Sequence, residues 1–256
     1  MQLLWISLKE FLNYFIMKKI LLCVFALVTT ILSAQEYHWT SYNFTVAGED
    51  VEIVGKLMGD YFSKEGSKAE GVSVFLFENH FNDNGVDFSH SIVFTGSLDA
   101  IGAQYSQDPS ESWQLFLTKL GRYIKSHSSA AGKSLLSFGE IGAHPIQNVY
   151  WLRVDEPSKM ANAFKTYNSK FNPDDWRVTL GSFGLGRSPS GETHYVLVGV
   201  DDFKTAMSTS KYREKNKAAQ AGWKKYWEDS GEVKLIRSTT RIMLGKWWKK
   251  LMLNHY

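Results

Sequence analysis

Two histidines occupy matching places in two similar segments of the chain. His90 opens the segment HSIVF, and His194 opens the segment HYVLV. If both segments are β-strands, alternation puts His90 on the same face as Phe94, and His194 on the same face as Val198. A neutral imidazole beside an apolar pocket could act as a base near neutral pH, or could ligate a metal or a haem iron. The alternative interpretation is a strand histidine that bonds only to nearby backbone.

Tryptophan is the second residue type that could shape a site. The chain has 9 Trp and 12 Tyr. Trp113 and Trp223 each fall on the apolar stripe of a predicted helix, where core packing is the ordinary role. Indole rings can also wall a cavity for apolar or ring-bearing ligands. The candidates for catalysis are the two histidines, and the residues predicted to bind a ligand are His90, Phe94, Trp113, His194, Val198 and Trp223.

The other histidines and carboxylates form no recognisable reactive motif. His80, His127 and His144 are isolated, and Asp201 and Asp202 have no histidine nearby in sequence. No His-x-Glu, His-x-x-His or Glu-x-x-His spacing occurs, so no metal site is predicted. These residues require no cofactor. Haem stays open, because one histidine and an apolar pocket suffice to hold it.

Composition and short motifs exclude several classes of function. The formal net charge is +3, with part of the positive excess near the N-terminus, so no nucleic-acid partner is predicted. The single cysteine, Cys23, lies in the N-terminal apolar stretch, which leaves the rest of the chain without disulfides or thiol chemistry. No Gly-x-Ser-x-Gly elbow occurs. The glycine-rich segment 184–191 lies between two predicted strands, which favours a hairpin turn over a nucleotide loop.

The elements that must position these residues follow the same order twice. Residues 40–139 and 148–240 each predict strand, helix, strand, turn, strand, helix and strand. The fold class predicted is α+β: two tandem βαββαβ ferredoxin-like repeats, whose bare sheet faces pack together as a pseudo-dimeric α+β barrel. The predicted domain bounds are a first repeat at 35–140, a linker at 141–147 and a second repeat at 148–240.

Three details of this prediction bear on the structure below. The turn of the first repeat is placed at 82–85. Its second helix begins with Asp108 as N-cap and carries an apolar stripe that runs to Ile124. Its last strand is placed at Leu135–Phe138.

This arrangement resembles the dimeric α+β barrel superfamily in its fused, two-repeat form. The resemblance covers nearly all of residues 40–240 and depends on element order and on the paired strand and helix segments, not on a diagnostic motif. The superfamily includes cofactor-free monooxygenases, haem-dependent chlorite dismutase-like enzymes and members of unknown activity. It therefore implies the fold far more strongly than a function.

The two ends of the chain read differently from the repeats. Residues 1–34 are predicted to be a signal segment that is removed, with Met17 as the true start, so export to the periplasm or the exterior is predicted. The alternative is an N-terminal membrane anchor that runs from Leu12 through Leu32. Residues 241–256 are basic and aromatic, lie outside the second repeat, and could contact a membrane surface or a partner. The alternative is that this tail packs back on the domain. The oligomeric state is not predicted.

Three functions remain open at this stage. The first is an exported protein that binds a small apolar or aromatic ligand in the barrel or in a cleft between the repeats. The second is a cofactor-free or haem-dependent oxidoreductase that uses His90 or His194. The third is a structural or interaction protein of the cell envelope, with residues 241–256 as its contact surface.

Overall fold

The parts of the chain that the computed structural model describes all belong to one structural unit. The described residues are 37–82, 88–139, 144–188 and 190–248. The predicted signal segment, most of the turn predicted at 82–85 and the end of the predicted tail lie outside them.

Eight strands form one closed antiparallel barrel. They are β1 (His38–Val46), β2 (Ser73–His80), β3 (His90–Gly96), β4 (Ile124–Phe138), β5 (Ile146–Val154), β6 (Arg177–Leu185), β7 (His194–Val200) and β8 (Val233–Trp247). Their order around the barrel is β1-β3-β2-β8-β5-β7-β6-β4, and β4 pairs with β1 to close the circle.

The first four strands are neighbours in the barrel, and so are the last four. The two sets join edge to edge through the β2–β8 and β4–β6 pairs. The sequence predicts two sheets packed face to face. The structure instead has one sheet that closes on itself as a barrel. Closure satisfies the backbone groups that two separate sheets would leave unpaired at their edges.

Helices cover the outer face of the barrel. Those among the described residues are α1 (Val51–Phe62), α2 (Leu98–Ser106), α3 (Glu111–Leu120), α4 (Pro157–Phe171), α5 (Phe203–Met207), α6 (Thr209–Glu214) and α7 (Lys217–Asp229). The order of long elements predicted for each half is present, and α2, α5 and α6 are additions. No helix in the described ranges has both the length and the apolar character needed to cross a bilayer.

Local sequence explains why the long helices form and which face they bury. In α1, Val54, Met58, Tyr61 and Phe62 are buried at helical spacing, as predicted. In α3, the Ser110 hydroxyl accepts a hydrogen bond from the Trp113 N–H, so the N-cap is Ser110 and not Asp108. The helical stripes pack on alternate residues of the strands, which places the main apolar clusters between helices and sheet.

The segment predicted as a separate tail begins inside the barrel. Strand β8 runs from Val233 to Trp247, and its residues from Thr240 onward pair with β2. The prediction that residues 241–256 lie outside the second half is therefore wrong for 241–247. The signal that decides this is the partner strand β2, about 160 residues away in sequence, which a local pattern cannot reveal.

Strand β4 is much longer than predicted. Helix α3 ends at Leu120, and Ile124 begins β4 opposite Val46 of β1. The prediction that Ile124 continues the helical stripe is therefore wrong. The segment from Lys125 to Ser134 is rich in serine and lacks apolar alternation, so only its pairing with β1 identifies it as a strand.

Candidate functional site

The barrel creates two separate spaces in which a small molecule could bind. The first, called the lumen here, is a cavity of about 600 Å³ inside the barrel, lined by inward-facing residues of the strands. The second, called the outer cavity, is a space of about 720 Å³ between the outer face of the first half and helices α1, α2 and α3. Both volumes suit a small organic ligand.

The two candidate histidines lie on the outer face of the barrel. His90 pairs with Phe44 across β1 and β3, and His194 pairs with Leu152 across β5 and β7. Both imidazoles are buried, and among the described residues that line the lumen and the outer cavity neither appears. Their catalytic role would require a ligand at a place where the structure provides no space beside them.

Each histidine instead belongs to a matched hydrogen-bond arrangement. His90 Nδ1 lies 2.8 Å from the Ser89 hydroxyl, which accepts a bond from the Val46 N–H. His194 Nδ1 lies 2.9 Å from the Thr193 hydroxyl, which accepts a bond from the N–H of the equivalent valine, at the end of β5. In both halves the imidazole therefore supports a hydroxyl that ties two neighbouring strands together.

These histidines predict a specific acid sensitivity. Burial lowers the pKa of His90 and of His194 below the ordinary 6.5. The unfolded chain therefore binds more protons than the folded chain in the window below about pH 6.5, so stability falls as the pH drops through that window. On acidification from about pH 7 to about pH 5, we expect the melting temperature of the double variant His90→Asn/His194→Asn to fall less than that of the parent.

The measurement is thermal unfolding at several pH values, with both proteins in the same buffers. His127→Asn is the matched control, because this histidine is exposed and does not contribute to the pKa shift of either buried imidazole. If the double variant and the parent lose the same melting temperature on acidification, the two imidazoles are not the groups that titrate.

Of the other four predicted site residues, two lie at the outer cavity and two lie away from it. Phe94 on β3 and Trp113 on α3 both border the outer cavity. Val198 on β7 and Trp223 on α7 pack in the apolar cluster of the second half and border neither cavity in the described part of the chain. The assignment of Phe94 and Trp113 to a ligand site stays a prediction.

Aromatic rings form much of the wall of the outer cavity. Tyr61 stacks on Phe116 with centroids 4.5 Å apart, and the Trp113 ring lies 5.4 Å from Phe116. Phe62 and Phe94 continue this wall at 5.8 Å from each other. No lysine or arginine is among the described lining residues, and the one carboxylate is Asp108. This space offers an apolar, nearly uncharged surface.

Hydroxyl groups provide the polar contacts of the outer cavity. The Tyr105 hydroxyl donates to Thr40 Oγ1 at 2.7 Å, so the Tyr42 hydroxyl is the donor in its 2.8 Å bond to Tyr105. Burial and the Tyr105 hydroxyl raise the pKa of Tyr42, which keeps this phenol protonated. Because both phenol protons are engaged, the Tyr42 oxygen can accept a hydrogen bond from an O–H or N–H of a ligand, but Tyr42 is a poor general base.

The lumen differs from the outer cavity in its charge. Its described lining contains four arginines and one carboxylate, Glu192. Arg237 Nη2 lies 3.3 Å from Glu192 Oε1, and the Arg237 guanidinium lies 4.7 Å from the centre of the Trp151 ring. Glu192 also accepts a hydrogen bond from the Ser188 hydroxyl, so its charge is fully engaged at this end of the lumen.

Sequence reasoning missed the two other inward-facing strand arginines. Arg177 Nε donates to Thr179 Oγ1 at 3.2 Å on β6, and Arg241 Nε donates to Gln147 Oε1 at 2.9 Å on β8. The Arg241 guanidinium lies 4.0 Å from the centre of the Phe77 ring. The sequence places Arg241 in the predicted tail, and nothing in the local sequence shows that these strand faces point inward.

The sequence also does not predict the contact between His144 and Asp201. His144 Nδ1 lies 2.6 Å from Asp201 Oδ1, and the imidazole is buried while the carboxylate is exposed. Asp201 follows β7 and His144 precedes β5, so only the pairing of these strands brings them together. Neither residue borders a cavity within the described ranges, so the pair is a structural link between two strand ends.

Neither of the two predicted histidines is placed to ligate a haem in the lumen or the outer cavity, and no described cluster fits a metal ion. A haem needs an axial ligand at a cavity wall, and His90 and His194 are not at one. His127 borders both cavities, but its Nε2 lies 2.9 Å from Thr45 Oγ1. Within the described ranges, no group of three His, Cys, Asp or Glu side chains could hold a metal ion.

Comparison with known proteins identifies the fold. Neither a protein-family model nor a curated protein matches the sequence. A proposed monooxygenase from Fusobacterium nucleatum subsp. nucleatum ATCC 25586 superposes with a TM-score of 0.56 at 15% identity, over 84% of this chain and 96% of its own. A proposed monooxygenase from Lactobacillus acidophilus NCFM gives 0.54 at 11% identity, over 83% and 95%. An anthrone oxidase-like protein gives 0.51 at 12% identity, over 84% and 93%.

These likenesses are structural. At identities of 11–15% they show the fold alone, and that fold is the dimeric α+β barrel. The dimeric α+β barrel fold that the resemblance implies is therefore confirmed, while the fused, two-repeat form stays a prediction.

Proposed function

We propose that this protein binds a small, uncharged aromatic molecule in the outer cavity. The observation that carries the proposal is the wall of aromatic rings around a space of about 720 Å³ that contains no lysine or arginine in its described lining. Apolar walls with a few placed polar groups are typical of small-molecule sites. The hydroxyls of Tyr42 and Tyr105 supply the polar groups.

The two halves of the chain offer a matched test of this site. N-phenylnaphthylamine, a neutral dye that fluoresces in apolar surroundings, is titrated into the full chain. We expect Trp113→Ala to weaken dye binding about tenfold, because it removes one aromatic wall. Trp223→Ala removes the corresponding ring of the second half, which borders neither cavity in the described chain, and should leave the affinity unchanged.

Two results would refute the proposal. One is a dye that does not bind the folded parent. The other is an equal loss of affinity in the two tryptophan variants, which would show that the dye responds to general loosening of the chain. Native mass spectrometry of the protein purified without refolding then identifies any molecule that accompanies it.

A second candidate function is oxidation of the molecule held in the outer cavity. Its support is the fold shared with two proposed monooxygenases and an anthrone oxidase-like protein. Anthrone is the natural probe: its CH₂ group loses two hydrogens and gains one oxygen atom from O₂, while the other oxygen atom leaves as water. An oxygen electrode should then show one O₂ consumed per anthrone. Consumption no faster than the uncatalysed reaction would leave binding as the only function.

The two halves are also inferred to derive from a tandem duplication. The matched strand orders β4-β1-β3-β2 and β8-β5-β7-β6 support this, as do the equivalent bonds around His90 and His194. Export through residues 1–34, and a role in the cell envelope with membrane contact through the residues after Trp247, stay predictions.

A further inference from the structure

Two arginines of the lumen have no carboxylate partner in the described chain. The hydrogen bonds of Arg177 and Arg241 use only Nε, with the neutral acceptors Thr179 and Gln147. Their terminal Nη atoms therefore have no acceptor among the described residues. The one carboxylate of the described lining, Glu192, is engaged by Arg237 and Ser188.

Placing two guanidinium groups in one cavity is energetically costly. A guanidinium removed from water without a counter-charge loses hydration that neutral partners only partly replace. Burial, with a smaller contribution from the nearby charge of Arg177, lowers the pKa of Arg241 to about 10. Burial likewise lowers the pKa of Arg177. Two mutually repelling cations in one cavity indicate a place for an anion.

The walls next to these arginines are aromatic. Phe77 stacks against the Arg241 guanidinium. Trp39 packs edge-on against Tyr195 and Phe183, with centroids 5.5 Å and 5.4 Å away. The Nε–H of Arg237, at the other end, is buried without an acceptor in the described part of the chain. A bound molecule therefore meets cations on one side and ring faces and edges around it.

We propose that the lumen is a second ligand site, separate from the outer cavity, which takes an aromatic carboxylate. The carboxylate accepts hydrogen bonds from the Nη atoms of Arg177 and Arg241, and the ring packs among Trp39, Phe77 and Tyr195. Arginine favours carboxylates because its planar fork matches their two oxygens. A small inorganic anion would satisfy the charges but would leave most of the 600 Å³ and its aromatic walls without contact.

The two sites are distinguished by charge. The described lining of the outer cavity has no cation to pair with a carboxylate, and its Asp108 would repel one. The lumen favours the anion, and the outer cavity favours the neutral ring. A pair of probes of the same shape, naphthoate and its neutral amide naphthamide, therefore separates them.

The experiment measures binding of both probes to the full chain by calorimetry. We expect naphthoate to bind the lumen at least about tenfold more tightly than naphthamide, and to weaken as salt is added. Arg241→Met and Arg177→Met should each reduce naphthoate affinity about tenfold or more. Arg122→Met removes one exposed charge outside both linings and should change nothing.

A second readout shows whether a variant has simply failed to fold. Because Arg241→Met removes an unpaired charge, the melting temperature of the free variant should equal or exceed that of the parent. The variant should also bind N-phenylnaphthylamine in the outer cavity as the parent does. This readout separates failure of the lumen site from failure of the proposed function.

Three outcomes would overturn the lumen site. The first is naphthoate binding that survives both arginine substitutions. The second is equal binding of naphthoate and naphthamide. The third is inorganic phosphate that competes with naphthoate and binds as tightly as naphthoate does, which would show an anion site without aromatic selectivity.

Discussion

Replacing Glu192 by leucine is expected to lower the free energy of unfolding by about 3 kcal/mol. The Glu192 carboxylate is 2% exposed and lies 3.3 Å from the Arg237 guanidinium, which is itself only 18% exposed. The substitution leaves Arg237 without a counter-charge and the Ser188 hydroxyl without its acceptor. Urea denaturation followed by tryptophan fluorescence measures the loss.

The double variant Glu192→Leu/Arg237→Met is the informative control. Removing both charges removes the uncompensated guanidinium, so the double variant should regain most of the stability that Glu192→Leu loses. If the double variant loses as much free energy of unfolding as Glu192→Leu and Arg237→Met lose together, the broken ion pair does not cause the loss in Glu192→Leu. The single variant should also bind naphthoate more tightly, because the net charge of the lumen is then one unit more positive.

Replacing Phe62 by alanine is expected to lower the free energy of unfolding by about 3–5 kcal/mol, which is the second large effect. Phe62 is 1% exposed and packs against Phe94, Phe116 and Trp247, with ring centroids 5.5–5.8 Å away. It joins α1, α3 and the end of β8 at one point. Its loss leaves a hole beside the outer cavity that the barrel wall cannot move to fill. Thermal and urea unfolding both measure this cost.

Phe164 of α4 is the matched control for Phe62. It is equally buried, and it lies in the apolar cluster of the second half, away from both cavities as described. Phe164→Ala should cost a similar free energy of unfolding, but only Phe62→Ala should change the affinity for N-phenylnaphthylamine. A change of dye affinity in both variants would argue against placing the dye in the outer cavity.

Local pattern predicts the parts of this fold that depend on local interactions. The buried stripe of α1 from Val54 to Phe62 follows from helical spacing alone, because the side chains of one stripe meet whatever the helix packs on. The extension of β8 to Trp247 does not follow, because it depends on pairing with β2. The same holds for β4, whose serine-rich half is a strand only because β1 lies beside it.

The candidate sites were harder to predict than the fold. Phe94 and Trp113 could be singled out as aromatic residues on predicted elements, and they meet at the outer cavity. Arg177 and Arg241 could not, because the inward direction of a strand face is fixed only when the barrel closes. His90 and His194 stand out in the sequence because they occupy matching positions in the two halves. In the structure each makes the same hydrogen bond to the hydroxyl of the preceding residue.

The position of β8 constrains the order in which this protein can fold. It is the last of the eight strands in the sequence, yet it lies between β2 and β5 and supplies one of the two joins between the halves. Until β8 has been synthesised, β2 and β5 each present an unpaired edge. Closing contacts of such long sequence separation are slow to form. The nascent chain is therefore expected to depend on protection of those edges until its final strand is in place.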